Sequence, residues 1–280
     1  ARRTHGVAVM SRPTVLKLSG ELLEEPDRVQ ALARLVASIA RQGPLVVVHG
    51  GGREIDASLA KAGIPKRQVD GLRVTDEDTL AVVVPVLAGT INTRFVAAVV
   101  AAGGQAVGLT GADTGVLPVE PMAPFTSVDG STVSLGRVGQ PVTDGVPHLL
   151  HHLLAGRYVP VVASIGADHR GDLYNVNADT MAGALAARLW AERLVMAGTT
   201  PGVLDRTGQT IEQLGHEVEQ ALIASGTANA GMLAKLHACR AALHAGVGSV
   251  LIVDGRDTAS LESAVLHGEA TGSTLTRMVA

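Results

Sequence analysis

Short apolar runs alternate along this chain with longer segments in which apolar residues recur every three or four positions. Residues 45–49 and 249–253 are compact runs of Val, Leu and Ile, which is typical of strands buried on both faces. Residues 27–42 instead carry apolar side chains at helical spacing and end at Gly43-Pro44. Short strands that alternate with helices predict an α/β protein with a mostly parallel central sheet sandwiched by helices.

The same reading gives bounds for the other elements. The predicted strands are residues 14–18, 45–49, 105–109, 158–164, 194–197 and 249–253. The predicted helices are residues 27–42, 53–62, 76–102 with a kink at Pro85, 146–154, 179–191, 211–225 and 232–245. Residues 118–145 are turn-rich and predict hairpins that project from the sheet. We place a lobe boundary after residue 191, giving a leader (1–12) and two lobes in one chain (13–191 and 192–280).

Composition narrows the class of protein. Of 280 residues, 46% are apolar and 18% charged, which suits a large dry core and excludes a disordered chain. The net charge of −3 offers no basic footprint for nucleic acid. A single cysteine, Cys239, fits a reducing, cytoplasmic setting. We expect no membrane span, because the longest apolar stretch, 80–102, contains Pro85 and Arg94.

Two glycine-bearing turns follow predicted strands. Lys17-Leu18-Ser19-Gly20 ends the first strand, and His49-Gly50-Gly51-Gly52 ends the second. Ligands of open parallel sheets sit at the carboxyl ends of strands, and glycine lets backbone N–H groups approach phosphate oxygens. The sequence lacks G-x-x-x-x-G-K-[ST], and Ile55 stands where a dinucleotide fingerprint needs its third glycine. The turns therefore indicate a phosphate site of another kind, with ordinary βα turns as the alternative.

Two lysines and an aspartate are the candidate catalytic residues. Phosphoryl transfer requires positive charge around the migrating group and little covalent chemistry from the protein. Lys17 stands at a strand end beside glycine, Lys235 lies in a helix start rich in small residues, and Asp179 opens a predicted helix. The competing interpretations are solvated lysines and an aspartate that caps the helix.

Polar residues near these positions suit a substrate carboxylate. Arg73 could fork onto a carboxylate, unless it is merely an exposed arginine, and Thr75 or Asp76 would cap the helix behind it. Asn175 and Asn177 would point the same way if extended, and their amides can both donate and accept hydrogen bonds.

The order of these signals resembles acetylglutamate kinases, a family within the amino-acid-kinase superfamily. The matching motifs, across nearly the whole chain, are HGGG (49–52), GLRVTD (71–76), YVPVVASIG with NVNAD (158–179), GVLD (202–205) and GMLAK (231–235). The opening KLSGE also resembles uridylate kinases. The resemblance implies ATP-dependent phosphorylation of the γ-carboxylate of N-acetyl-L-glutamate, with Mg²⁺, in arginine biosynthesis.

The resemblance also implies site residues. The catalytic set is Lys17, Lys235 and Asp179, with Asp179 orienting the two lysines. The substrate set is Gly51, Gly52, Arg73, Asn175 and Asn177. The nucleotide set is Lys17, Gly20, Gly51, Gly52, Gly202 and Lys235. No residue is expected to bind a metal directly. Residues 13–191 would hold the substrate and the phosphate turns, residues 192–280 would bind ATP, and the chain would form an arginine-insensitive homodimer.

Three positions depart from the family pattern. Ser19 stands where a glycine is usual and is expected to crowd the phosphate turn, Thr199 replaces an aspartate and is expected to weaken nucleotide binding, and Trp190 replaces a common glycine. The alternative functions are a related kinase acting on glutamate or aminoadipate linked to a carrier protein, a uridylate kinase, and a non-catalytic nucleotide sensor on the same fold.

Overall fold

The computed structural model describes residues 11–127, 130–224, 230–269 and 271–275. Nearly all of the predicted leader lies outside these ranges. The last leader residue, Arg12, is held in place, because its guanidinium donates to the carbonyl oxygens of Ala191 and Gly246 at 3.0 Å each.

The described residues form sixteen strands and nine α-helices. The strands are β1 (Thr14–Leu18), β2 (Leu45–His49), β3 (Gln68–Val69), β4 (Leu72–Arg73), β5 (Ala106–Thr110), β6 (Val119–Pro121), β7 (Phe125–Thr126), β8 (Thr132–Val133), β9 (Gly139–Pro141), β10 (Val159–Ala163), β11 (Ile165–Ala167), β12 (Leu173–Asn175), β13 (Arg193–Gly198), β14 (Gln213–Leu214), β15 (Ser249–Asp254) and β16 (Ser273–Leu275). The helices are α1 (Pro26–Ala40), α2 (Gly52–Lys61), α3 (Glu77–Val84), α4 (Asn92–Ala101), α5 (His148–Ala155), α6 (Ala178–Arg188), α7 (His216–Ala224), α8 (Ala230–His244) and α9 (Thr258–His267).

Eight strands form one central sheet in the order β14-β16-β15-β13-β1-β2-β10-β5. Its pairs are parallel except β15 with β16, which run antiparallel. The predicted α/β class with a mostly parallel sheet is confirmed. Because β1 lies in the middle, the turns that follow β1, β2 and β13 meet at one edge of the sheet.

Helices cover both faces of the sheet, and the strand alternation divides the side chains between two cores. Leu16 and Leu18 pack with α1, α2, α4 and α9 on one face. Val15, two residues before Lys17, packs with α5, α6 and α8 on the other. Successive strand residues point to opposite faces, so Lys17 is directed toward α6 and α8.

The predicted long helix is continuous over Glu77–Ala101, with a π-helical segment at Pro85–Ile91 between α3 and α4. Pro85 has no backbone N–H to donate within an α-helical turn. The helix accommodates it with a wider, π-helical turn instead of the predicted kink. By length and mean hydropathy (1.7), this helix would suffice to cross a membrane. A helix in the core of a folded protein can be equally long and apolar. Val83, Leu87 and Phe95 of this helix are buried in the core that contains Leu16 and Leu18.

Smaller elements differ from the prediction. The predicted helix 211–225 begins only at His216, because β14 occupies residues 213–214. The sequence reading also missed α9 and β16, which follow the last predicted strand. The hairpins expected within residues 118–145 are confirmed as the antiparallel pairs β6–β9 and β7–β8. The lobe boundary stays a prediction.

Candidate active site

The two glycine turns lie against each other at the carboxyl edge of the sheet. A Cβ on Gly20 would stand 2.7 Å from the Cα of Gly51 and 3.1 Å from the backbone nitrogen of Gly52. Only glycine allows the two backbones to approach this closely. The turns therefore form one structure, in which the first turn of α2 presents backbone N–H groups that have no intrahelical partner.

The glycines of the second turn have different surroundings. A Cβ on Gly50 would contact Ala178 at 3.2 Å, which places this turn beside the start of α6. A Cβ on Gly51 would meet Ile91 Cδ1 at 2.1 Å, so the π-helical segment supports the turn from below. A Cβ on Gly52 would meet no atom of the described residues within 4 Å. The space above Gly52 is therefore free to receive a ligand.

A buried histidine fixes the second turn to the helical layer. His49 Nδ1 lies 3.1 Å from its neighbour's carbonyl oxygen, and Nε2 lies 3.0 Å from Asn92 Nδ2, which also donates to Val161 O at 2.9 Å. Burial lowers the pKa of His49 to about 4, so the ring is neutral near pH 7. The sequence reading missed the Asn92 contact because the two residues lie on separate elements.

The three predicted catalytic residues come together. Lys17 Nζ on β1 lies 2.7 Å from Asp179 Oδ1, and Lys235 Nζ on α8 lies 2.9 Å from Oδ2 and 3.1 Å from Oδ1. One carboxylate thus orients two ammonium groups, and all three side chains are largely buried.

The charges of this cluster shift its pKa values. Burial opposes the charged form of Asp179, but the two lysines outweigh it and hold the pKa of that carboxyl well below its ordinary value. Burial, together with the charge of Lys235, lowers the pKa of Lys17, and Asp179 offsets part of this effect. Two cations facing one anion leave an excess positive charge at the end of the sheet, which favours a negatively charged ligand.

The N-terminus of α6 holds Asp179 in position. Asn177 caps this helix: its Oδ1 accepts from the backbone N–H groups of Asp179 at 2.9 Å and Thr180 at 3.0 Å. The alternative in which Asp179 is the cap is therefore wrong, and its carboxylate is free to bind the lysines. A role of Asn177 toward the substrate stays a prediction, and its amide nitrogen is the atom left for it.

Helix α8 lies very close to α6, which brings Lys235 within reach of Asp179. Gly183 and Asp179 are four residues apart on α6 and share a face. A Cβ on Gly183 would lie 2.9 Å from the carbonyl oxygen of Ala238, three residues after Lys235. The missing side chain lets the two backbones pack at this point.

The predicted substrate residues lie on neighbouring strands and turns. Arg73 donates to Gly52 O at 3.3 Å and pairs with Asp56, while its buried Nη1 atom has no hydrogen-bond partner among the described residues. Asn175 Nδ2 donates to Thr75 Oγ1 at 3.2 Å. The Arg73 side chain is therefore largely buried, at 8% exposure, and is not the exposed arginine of the alternative interpretation. Asp76 caps α3 by accepting a hydrogen bond from the N–H of Thr79, which confirms one of the two predicted alternatives.

The nucleotide side contains contacts that sequence reasoning missed. Thr199 Oγ1 donates to Glu21 Oε2 at 2.6 Å, which joins the end of β13 to the first glycine turn. Arg53 pairs with Glu21 at 3.1 Å and with Glu24 at 3.4 Å. The buried Ser19 hydroxyl has no hydrogen-bond partner in the part of the chain that the structure describes. The effects expected of Ser19 and Thr199 on nucleotide binding stay predictions.

Gly202, a predicted nucleotide residue, lies in a tight turn. Gly202 has φ 155°, and a Cβ there would stand 2.6 Å from Ser273 Oγ, so the turn after β13 requires glycine. The GMLAK motif (231–235) lies within α8, which is described from residue 230 onward. Within the described ranges, no group of three or more His, Cys, Asp and Glu side chains could hold a metal ion.

The fold and this cluster define a class of phosphotransferase. A central parallel sheet, paired glycine turns and two lysines held by one aspartate can surround a transferring phosphoryl group with donors and positive charge. The model of the amino acid kinase family matches residues 12–254. The chain belongs to the amino acid kinase family.

Relatives with about 40% identity to this chain are acetylglutamate kinases. The acetylglutamate kinase of Azoarcus sp. is 40% identical over 245 residues, which cover 86% of this chain and 81% of the relative. That of Koribacter versatilis is 41% identical over 250 residues, which cover 89% of this chain and 93% of the relative. The resemblance expected from the motifs is confirmed.

A solved structure shares the fold. N-acetylglutamate synthase from Neisseria gonorrhoeae, complexed with coenzyme A and N-acetyl-glutamate, superimposes with a TM-score of 0.81 at 24% identity. The match covers 97% of this chain and 61% of the synthase.

Proposed function

We infer that this chain is an acetylglutamate kinase, which transfers the γ-phosphoryl group of ATP to the γ-carboxylate of N-acetyl-L-glutamate in arginine biosynthesis. The observation that carries this inference is the Lys17–Asp179–Lys235 cluster beside the paired glycine turns. Relatives about 40% identical over most of the chain carry the same name.

The reaction needs no side-chain base, because the attacking carboxylate is ionised near pH 7. A γ-carboxylate oxygen attacks the γ-phosphorus, the bond to the β,γ-bridging oxygen breaks, and its electron pair leaves with ADP. The ammonium groups of Lys17 and Lys235 stabilise the charge on the transferring phosphoryl oxygens. Asp179 keeps the two lysines apart and oriented, and Gly20, Gly51 and Gly52 provide backbone donors.

Substrate binding uses the other half of the site. We propose that Arg73 and Asn175 hold the α-carboxylate of N-acetyl-L-glutamate, with Asn177 nearby. The contact of Arg73 with the carbonyl oxygen of Gly52 supports this, because it places the guanidinium beside the second glycine turn. Mg²⁺ would enter with ATP, since it is usually bound through phosphates and water. Asp179 is already engaged by two lysines and is a poor metal ligand.

A hydroxamate assay tests the function. The protein is incubated with ATP, Mg²⁺ and one of four acceptors: N-acetyl-L-glutamate, glutamate, aspartate or N-acetylaminoadipate. Hydroxylamine traps the acyl phosphate, and we expect product with N-acetyl-L-glutamate. Equal inactivity on all four acceptors would contradict the inferred function. A preference for N-acetylaminoadipate would favour the alternative of a kinase that acts on carrier-linked substrates.

Two lysine variants test the catalytic roles. Lys17→Ala and Lys235→Ala should lower kcat more than they raise KM, because these contacts strengthen in the transition state. Lys61→Ala, which changes an exposed lysine of α2, is the matched control and should keep wild-type kinetics. Unchanged turnover in both active-site variants contradicts the assigned roles.

We further propose a cytoplasmic homodimer, in which residues 192–280 bind the adenine nucleotide. β5 ends the central sheet, and Val100 on the adjacent helix α4 is 52% exposed, so this edge can accept a second copy. Light scattering should give twice the 28.6 kDa chain mass. A monomer at all concentrations tested contradicts the dimer.

A further inference from the structure

One short segment joins the two structural elements that carry the predicted substrate residues. Residues 135–138 run between the turn after Arg73 and the end of β12. Arg137 N–H donates to Thr75 O at 2.6 Å, and Arg137 O accepts from Asn175 N–H at 3.0 Å. Because Asn175 also donates through its side chain to Thr75, the backbone of Arg137 closes a ring of contacts around the substrate side.

Glycine is required for this segment to fit. Gly136 has φ 71°, in the left-handed region that favours glycine. A Cβ there would stand 2.5 Å from Thr75 O. Residues 135–138 therefore pack directly against the backbone between Arg73 and α3. This packing fixes the position of Arg137.

The side chain of Arg137 then contacts three separate pieces of structure. Its Nε donates to Glu77 Oε1 at 2.5 Å, at the first turn of α3. Its Nη1 lies 3.5 Å from Asp172 Oδ2, just before β12. Its guanidinium carbon lies 5.6 Å from the ring centre of Tyr174 within β12, a cation–π distance. The guanidinium thus connects the start of α3 to the strand that ends at Asn175.

We propose that Arg137 is a positioning residue that sets the spacing between Arg73 and Asn175, and through it the affinity for the substrate carboxylate. The proposal rests on the proposed function, because those two residues are the inferred substrate ligands. Taken alone, the ion pair with Glu77 would be worth little, since Glu77 is 71% exposed. The Arg137 side chain matters more than an isolated surface pair because the backbone of Arg137 contacts the same two elements, the turn before α3 and the strand β12.

The contact pattern predicts a selective kinetic effect. Among the described residues, these contacts of Arg137 involve neither the two lysines nor Asp179. A substitution that removes the Arg137 contacts should therefore raise KM for N-acetyl-L-glutamate and leave KM for ATP and kcat close to wild type. A rise of roughly tenfold is within the range of coupling between residues in contact.

The test compares three variants with the wild type. Arg137→Met keeps an apolar stem of similar length and removes the charge. Arg137→Lys keeps the pairing with Glu77 but loses the planar group over Tyr174, so it should recover part of the affinity. Arg170→Met, which changes an exposed arginine in the turn between β11 and β12, is the matched control and should behave as wild type. KM and kcat are measured for both substrates, and binding of N-acetyl-L-glutamate by calorimetry without ATP.

The proposal is upheld if Arg137→Met weakens N-acetyl-L-glutamate binding selectively and Arg137→Lys restores part of it. Unchanged binding, or an equal rise in both KM values, would overturn it while leaving the proposed function intact. A wild type that neither binds nor phosphorylates N-acetyl-L-glutamate would overturn both, so the two failures are distinguishable.

Discussion

A methyl group added at Gly51 and one added at Gly52 should separate folding from catalysis. The residues are neighbours in the same turn, but their surroundings differ. The methyl group of Gly51→Ala would overlap Ile91 Cδ1 at 2.1 Å and reach Leu87 Cδ2 at 3.0 Å. The methyl group of Gly52→Ala would have open space for 4 Å around it, as far as residues 11–127, 130–224, 230–269 and 271–275 are concerned.

The magnitudes follow from this difference. Overpacking a core typically costs about 1–3 kcal/mol, and we expect a loss of this size in the free energy of unfolding of Gly51→Ala. Gly52→Ala should be neutral or stabilising by about 0.4–1 kcal/mol, because alanine restricts the unfolded chain. If the space above Gly52 receives the γ-phosphate, the methyl group of Gly52→Ala should nevertheless raise KM for ATP about tenfold or more, a loss of about 1.4 kcal/mol in binding.

Urea unfolding and steady-state kinetics measure the two effects on the same variants. Gly89→Ala controls for the effect of a methyl group alone, because Gly89 lies in the π-helical segment and, like Gly52, has open space around a Cβ among the described residues. A Gly52→Ala enzyme with normal stability and poor ATP use supports the phosphate site. If Gly52→Ala keeps the wild-type kcat/KM for ATP, the reasoning that places the γ-phosphate at this turn is refuted.

Two other predictions concern the supports of the site. Burial lowers the pKa of His49 to about 4 from 6.5, so the unfolded chain binds a proton more readily than the folded one between these values. Folding stability should therefore fall by up to about 3 kcal/mol as pH drops from 6.5 to 4, and His49→Gln should flatten this dependence in urea titrations; an unchanged slope contradicts the assignment. Gly183→Ala would normally stabilise a helix, by up to about 1 kcal/mol, but here it should lower both the unfolding midpoint and kcat because α8 must move away from α6. A more stable and fully active variant would contradict this account of helix packing.

Much of this architecture follows from local patterns. β2 occupies the predicted residues 45–49, and β1 the predicted residues 14–18, because a compact β-branched run has few other ways to be buried. The glycine turns could be assigned to one edge because parallel strands place their carboxyl ends together. The meeting of Lys17, Asp179 and Lys235 was expected from the family resemblance and not from spacing alone.

The remainder depends on contacts between distant segments. The contact between His49 and Asn92, like that between Arg137 and Tyr174, joins residues that no local pattern relates. Aspartate is a good capping residue, so the sequence offers Asp179 as a cap of α6. The hydrogen bonds that Asn177 Oδ1 accepts from Asp179 and Thr180 make Asn177 the cap instead. The short strands β14 and β16 have too few residues to show an alternation.

The central place of β1 also has a consequence for biosynthesis. β1 and β2 can pair as soon as residue 49 has left the ribosome. The other edge of β1 stays unpaired until β13, at residues 193–198, has been synthesised. At about 5–20 residues per second, this interval lasts on the order of ten seconds or more. During that time a strand rich in Val and Leu exposes unpaired backbone groups, so the nascent chain should need a chaperone or slow dilution more than the finished protein does.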